Sequence, residues 1–547
     1  MSIPTNLEES LPLAEGVPKG RGKAIHTGRA ISVVFFATVA ARLLSIISQV
    51  LTAAAFGVGR AMDAYTLAMI VPTIIAGILT TAVGAALIPV FVDYRENKGE
   101  AESMRLLWAA TTLGTSIAFA VTLALIAGAP LLVALFGDQM DAPTKALAVI
   151  LLRFLLPILL LQGVITLLSA VLNAYGRFVA PALASVTITL STIAFLLFAR
   201  SLGIYALAWA TIVGYMLNLV VLILSYLRLG LRFRFIFDWH HPGVRRIGAL
   251  ATPALLAALL VNGNNLIDQF MASLLPPGSL SSLSYAIKLV STPTQFFSSA
   301  LSSVLLPVFS LHVARREFTL LSNTFRRAVI YSAIVLLPAG ALLGVLARPV
   351  VEVFYHHGNF SAHATDVVSA GVMFLAPSIF LVIYSFINGR MYNALQENRM
   401  LRNVALLSLT LNAVFDYVLM RIWGVAGIMF STSMTYLVIE VVLISILNKK
   451  VRGLNLRQIG FSIGKITLAA ALMWLALALL GQLPMLANLS AFPQICVLGT
   501  IGVLVYIALL WVLRVPELGM LWTMVRSRLP LKRSSPALVE RKEKANG

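Results

Sequence analysis

The chain has 547 residues, 59% of them hydrophobic and 11% charged, whereas a soluble domain carries about 25% charged residues; a string of soluble domains is excluded. The formal net charge of +20 would suit nucleic acid, but the basic residues punctuate apolar stretches and form no patch interleaved with aromatics, which excludes that partner. The one cysteine, Cys496, lies inside an apolar stretch, leaving no disulfide framework and no cysteine-based metal site.

Residues 1–29 form a polar tail with Pro4, Pro12 and Pro18, ending in the basic cluster Lys19, Arg21, Lys23 and Arg29. The apolar run that follows is too long for a signal-peptide core and has no evident cleavage site, so it reads as a first span. Fourteen such stretches follow one another from Ala30 to Leu513. A helical crossing of a bilayer needs roughly 20 apolar residues, and lipid admits only helices or closed barrels because backbone polar groups must pair internally. The fold class is therefore all-α, an integral membrane protein with 14 transmembrane helices, predicted near 30–56, 61–92, 106–136, 146–174, 178–199, 203–227, 247–275, 281–311, 328–347, 366–389, 401–420, 424–447, 461–482 and 491–513.

With the N-terminus in the cytoplasm, 33 of the 41 Lys and Arg residues fall on cytoplasmic segments, five on the opposite side and three inside spans. That positive-inside bias puts both termini in the cytoplasm. The basic tail over 514–547 suits anionic headgroups.

The chain also resembles itself at an offset of about 220 residues. Pro72 matches Pro293, Ile88–Phe91 matches Leu306–Phe309, Asn173 matches Asn393, Gly203 matches Gly424, and Val220–Ser225 matches Val441–Ser445. Six spans separate the members of each pair, so two pseudo-symmetric lobes share one orientation: an N-lobe over 30–227 and a C-lobe over 247–447, with the spans in 461–513 outside the repeat. Parallel repeats of this kind serve alternating-access transporters, with the substrate between the halves.

Ionisable groups inside spans face a cavity or a partner. Arg42 lies in the first span, Asp63 opens the second, Arg153 precedes Pro157 in the fourth, Asp268 lies in the seventh and Lys288 in the eighth. One reading puts Arg42 and Lys288 on facing walls of a cavity that draws in a diphosphate, with Arg153 assisting, because Arg forks onto phosphate oxygens and Lys acts as a point charge. The other makes these charges internal ion pairs, for example Asp268 with Lys288. Asn265, one turn before Asp268, serves ligand contact or helix association equally well. Pro72, Pro293 and Gly77 are candidate flexing points. His356, His357 and His363 read as a polar loop in preference to a zinc site. No Walker lysine, nucleophile elbow or HExxH zinc motif is present, so an enzyme is not expected, nor any cofactor or metal.

AARLLSIISQVLTAAAFGVGRAMDAY, YAIKLVSTPTQFFSSALSSVLLPVFS, VEVFYHHGNF and LNAVFDYVLMRIWGVAGIMFSTSMTYL resemble the MurJ/MviN family of the multidrug/oligosaccharidyl-lipid/polysaccharide exporter superfamily. The resemblance implies a cationic cavity between two lobes and a groove for a lipid tail near the last two spans. It implies flipping of an undecaprenyl-diphosphate-linked saccharide, lipid II in the founding members, across the bacterial cytoplasmic (inner) membrane. Membrane lipids and proteins of cell-wall or polysaccharide synthesis are the implied partners. Arg42, Lys288 and Asp63 match family positions. Ser48, Ala76 and Gly77 stand where the family carries arginines, which leaves a flippase for another lipid-linked saccharide, as in exopolysaccharide or O-antigen assembly, and a drug/cation antiporter of the same superfamily as alternatives.

Overall fold

The computed structural model describes residues 21–230, 234–451 and 453–515, with side chains from Val39 onward except that of Ser303. The expectations for residues 1–20, for Arg232 and Arg452, and for the basic tail beyond Val515 lie outside the described residues.

The chain folds as helices joined by short turns. In the first half these are α1 (Arg21–Phe56), α2 (Arg60–Asn97), α3 (Glu100–Phe136), α4 (Ala142–Leu155), α5 (Ile158–Ala174), α6 (Val179–Phe198) and α7 (Tyr205–Leu227). The second half contains α8 (Pro242–Ser273), α9 (Ser279–Ala314), α10 (Phe318–Val345), α11 (Ala347–Tyr355), α12 (Ala362–Leu375), α13 (Ser378–Ala394), α14 (Asn398–Trp423) and α15 (Val425–Lys450). Then come α16 (Leu456–Leu480), α17 (Pro484–Ala487) and α18 (Ala491–Val512). Among the described residues 13 helical stretches are long and apolar enough to cross a membrane, and the pair α12 and α13, bent by 41°, makes a fourteenth span. The all-α membrane architecture read from the sequence is what the chain adopts.

Two spans are interrupted rather than straight. Pro157 ends α4 before α5 begins, and Pro377 ends α12 before α13 begins. A proline interrupts the i→i−4 ladder and clashes with the preceding turn. By contrast Pro72 and Pro293, the expected flexing points, sit within unbroken helices α2 and α9.

The internal repeat is written into the backbone. Positive φ recurs in pairs about 220 residues apart: Gly57 with Gly278, Gly99 with Arg316, Gly176 with Gln396, Gly203 with Gly424 and Gly230 with Gly453. Gly203 and Gly424 coincide closely, at φ 59°, ψ −141° and φ 58°, ψ −135°. That region is essentially closed to side-chain-bearing residues, so both lobes require glycine before α7 and α15. The last two long helices attach to the C-lobe: α16 packs on α10, α18 on α16 and α11, and Tyr506 of α18 donates its hydroxyl to the Ile334 carbonyl at 2.9 Å.

Candidate substrate site

The lobes meet along two lines. On one, α2 runs beside α8. Gly77 sits at that crossing, where a Cβ would lie 3.6 Å from Oδ1 of Asn262. At the basic end of the bundle the start of α8 is tied to the N-lobe by Arg246 to Asp93 at 2.5 Å, His241 to Glu102 at 3.1 Å and, just before it, Arg105 to Asp238 at 3.2 Å.

On the other line the junction is confined to the opposite, charge-poor end. Backbone N–H groups of Gly278 and Ser281, at the start of α9, donate to the two carboxylate oxygens of Asp63 at 2.5 and 2.8 Å. The first-turn N–H groups of a helix lack intrahelical partners and carry partial positive charge, so a carboxylate there is favoured. Asp63 is 3% exposed with both oxygens engaged, so in this arrangement it joins the lobes. Beside it Asn359 donates from its side chain to the Ala55 carbonyl at 2.7 Å and from its backbone to Ala54 at 3.0 Å. Gly358, with φ 59°, lies so close to the Ala54 carbonyl that a Cβ would approach it to 2.3 Å. The GNF segment therefore clamps the end of α1.

Lys288 hangs one turn below this clamp. The Tyr355 hydroxyl lies 3.4 Å from Oε1 of Gln49 on α1 and 3.3 Å from the Tyr285 carbonyl on α9, and Lys288 Nζ stands 5.8 Å from the Tyr285 ring centroid. Lys288 and Thr292 are four residues apart on α9; Arg42, Ile46 and Gln49 follow helical spacing on one face of α1. Thr292, Ile46 and Gln49 line one lobe-to-lobe cavity of about 270 Å³, closed by Pro293, Leu343, Phe354 and Tyr355. Counting about 1.5 Å per residue from the charge-poor helix ends puts Lys288 about 14 Å deep and Arg42 about 21 Å deep. Both are exposed. Neither has an ion pair among the described residues.

The Asp268–Lys288 pair of the alternative reading does not form. Asp268 is 2% exposed and accepts from Asn412 Nδ2 at 3.0 Å and Thr432 Oγ1 at 3.3 Å, inside the C-lobe between α8, α14 and α15. Asp416 lies beside it, accepting from Ser431. Asn412 and Thr432 escaped the sequence reading because they approach Asp268 only through the fold, up to 164 residues away along the chain. Asn265 is exposed on α8, while its neighbour Asn264 donates to Ser408 at 2.9 Å. Arg153 is not brought to Arg42 and Lys288: its Nε donates to the Ile126 carbonyl of α3 at 3.3 Å. Also missed was a neutral polar group in the N-lobe, where Gln162 Nε2 reaches Thr80 and Thr166, each at 3.3 Å.

A second cavity, about 260 Å³ and mostly apolar, lies where α10, α12 and α13 meet α16, lined by residues including Gly340, Gly344, Phe380, Ala470 and Trp474. In the histidine loop, His356 Nδ1 is 2.9 Å from Thr365 Oγ1, and His357 Nε2 donates to the Val353 carbonyl at 3.0 Å.

A family model described as Lipid II flippase MurJ matches residues 52–495. A probable lipid II flippase MurJ from Synechocystis sp. is 26% identical over 448 residues, covering 79% of this chain and 84% of the relative. The lipid II flippase MurJ of Burkholderia cenocepacia is 27% identical over 416 residues, covering 74% and 80%. Among solved structures, a lipid II flippase MurJ in an inward closed conformation superposes with a TM-score of 0.74 at 22% identity, over 87% of this chain and 97% of that one. An inward-facing multidrug resistance transporter of the MATE family superposes at 0.65 with 13% identity, over 76% and 95%. The two superpositions speak for the fold.

Proposed function

The chain belongs to the lipid II flippase MurJ family, and on that footing we propose that it moves an undecaprenyl-diphosphate-linked saccharide, lipid II, from the inner to the outer leaflet by alternating access. The membrane is then the bacterial cytoplasmic membrane, with both termini in the cytoplasm. The proteins that make and use the carried lipid are its partners.

A disaccharide on a diphosphate cannot cross hydrocarbon unaided, because polar and charged groups buried without partners cost many kcal/mol. Arg42 and Lys288 replace water around the diphosphate, one cation from each lobe. That neither is spent on a carboxylate is the observation that carries this reading. Gln49 and Thr292, which line the cavity one helical turn or two from these cations, offer neutral hydrogen bonds to the sugar. The apolar cavity against α16 receives the prenyl chain, which never leaves an oily surrounding. The chemistry asked of the protein is binding and release; no bond of the cargo is made or broken.

Transport then alternates two junctions. In the arrangement described, the charge-poor end is shut by Asp63 and Asn359. Opening it while the basic end closes carries the headgroup across. The test is transfer of fluorescent lipid II in proteoliposomes: the parent protein transfers it and Lys288→Ala does not, although it folds. Undiminished transfer by that variant defeats the assignment.

One observation favours a second cargo of the same class. Ala76, Gly77 and Ser48 put neutral groups where the family resemblance calls for arginines, and Gln162, Thr80 and Thr166 add uncharged hydrogen-bonding groups to the N-lobe. Another polyprenyl-linked saccharide, gripped more by its sugars, fits that lining. Mass spectrometry of the lipid that co-purifies with the protein decides between the two.

A further inference from the structure

Deep in the C-lobe, away from Arg42 and Lys288, Glu440 of α15 meets Asn388 of α13. Glu440 is 2% exposed and Asn388 is fully buried. Asn388 Nδ2 donates to Glu440 Oε2. Glu440 Oε1 and Asn388 Oδ1 accept no well-formed hydrogen bond. Two buried acceptor oxygens thus lie in one site whose neighbouring hydroxyls are the neutral ones of Ser385 and Tyr384 on α13, and no Lys, Arg or His pairs with Glu440 among the described residues. An ionised carboxyl inside a membrane span, with only an amide and a serine hydroxyl for company and no cation, is strongly disfavoured.

The internal repeat supplies a control. Shifted back by the repeat offset, Asn388 falls on Leu168 and Glu440 on Leu219, and these two belong to one apolar cluster of the N-lobe. The fold therefore does not need polar groups here. The C-lobe has put a carboxyl and an amide where plain packing suffices.

We propose that Glu440 and Asn388 form a resident proton-binding site, loaded while α13 and α15 are clamped together and emptied when they part. Loading moves one proton from a hydronium ion to Oε1 of Glu440, leaving a neutral carboxyl and a water molecule; unloading reverses the step. The titratable neighbours are Tyr384 and Tyr392 on α13 and Tyr436 on α15 itself. Asp268 of α8 and Asp416 of α14 lie about two turns away along α15. Groups of α9 and α12 form no hydrogen bond or ion pair with Glu440 among the described residues. Arg390, two residues beyond Asn388, is occupied elsewhere: it donates to Ser302 of α9 at 3.1 Å and covers the Phe386 ring at 4.7 Å. Because α13 also holds α9 through Arg390, opening the clamp is mechanically connected to the helix that carries Lys288.

The site is tested by infrared spectroscopy of the full-length protein in nanodiscs, in sodium-free buffer at neutral pH. The parent is expected to show a protonated-carboxyl C=O stretch that is absent from Glu440→Gln and shifted in Asn388→Leu. Coincident spectra of the parent and Glu440→Gln in that region overturn the proposal. Loss of the band on adding sodium at fixed pH overturns it in favour of an alkali-cation site. The double variant Asn388→Leu/Glu440→Leu, which restores the N-lobe pair, is expected to melt at or above the parent temperature, as apolar replacement of buried polar groups allows. A lower melting temperature overturns the reading by making the pair a packing requirement. None of these readouts needs cargo, so they stand apart from the flippase assignment.

Discussion

Replacing Asp63 by Asn isolates the charge that shuts the charge-poor end of the lobe junction. The carboxylate accepts two backbone N–H groups of α9, one on each oxygen. Asn keeps one acceptor oxygen and turns an NH2 group toward the other donor. One of the two bonds is lost, together with the attraction between the carboxylate and the helix start. A hydrogen bond to a charged group contributes about 1.5–3 kcal/mol. The loss falls only on the closed arrangement, because separated lobes leave the same N–H groups to water. At about 1.4 kcal/mol per tenfold, the closed-to-open ratio falls by about 10- to 150-fold. The assay is pulsed electron paramagnetic resonance between spin labels at Leu202→Cys and His363→Cys, both exposed and on opposite lobes, in a Cys496→Ser background. The distance distribution should gain a longer population in Asp63→Asn. An unchanged distribution, with helix content intact, would falsify the role given to this carboxylate.

The loss of transfer in Lys288→Ala should amount to at least about 10- to 150-fold, the equivalent of one charge-assisted contact to phosphate and enough to take it to background, with Lys288→Arg keeping part of the rate; proteoliposome kinetics check both. Two glycines should answer oppositely to Ala in a thermal unfolding assay. At Gly77 a Cβ meets Asn262 at an ordinary 3.6 Å, so Gly77→Ala should gain up to about 1 kcal/mol of helix propensity, and a lower melting temperature refutes the spacing. At Gly427 a Cβ would fall 2.1 Å from the Leu419 carbonyl oxygen; Gly427→Ala should destabilise by about 1–3 kcal/mol or more, and parent-like melting refutes the close approach of α14 and α15. Arg246 is 57% exposed in its side chain, so Arg246→Ala should shift stability by less than about 1 kcal/mol and the shift should fade in high salt.

The spans were legible because a bilayer imposes length and apolarity on each crossing, and no partner elsewhere in the chain can relax that demand. The repeat was legible for a related reason: Gly203 and Gly424 keep their identity because their backbone geometry admits little else. Bends were harder. Five prolines of α2, α9 and α10 lie inside continuous helices, whereas Pro157 and Pro377 interrupt theirs, and nothing in the local sequence separates the two kinds. Whether a freed carbonyl is satisfied depends on neighbouring helices. At the site, charge was visible but pairing was not. Asp63 finds donors 215 and 218 residues away, and Asp268 chooses Asn412 over Lys288 because α14, not α9, packs against its face of α8. Only the docking of whole helices decides such contacts.

The distribution of charge bears on whether the cargo is a cation or an anion. An exporter of organic cations needs carboxylates open to the junction. Here Asp268, Asp416 and Glu440 are each 2% exposed or less and lie within the C-lobe, bonded to Asn412, Ser431 and Asn388. Asp63, at the charge-poor end of the junction, is consumed by backbone donors of α9. Among the described residues, Arg42 and Lys288 stand without an ion pair. Sealing the carboxylates away from those two also keeps them from forming internal ion pairs, which would neutralise the grip on phosphate. On the proposed assignment an anionic headgroup is thus the cargo that this junction attracts.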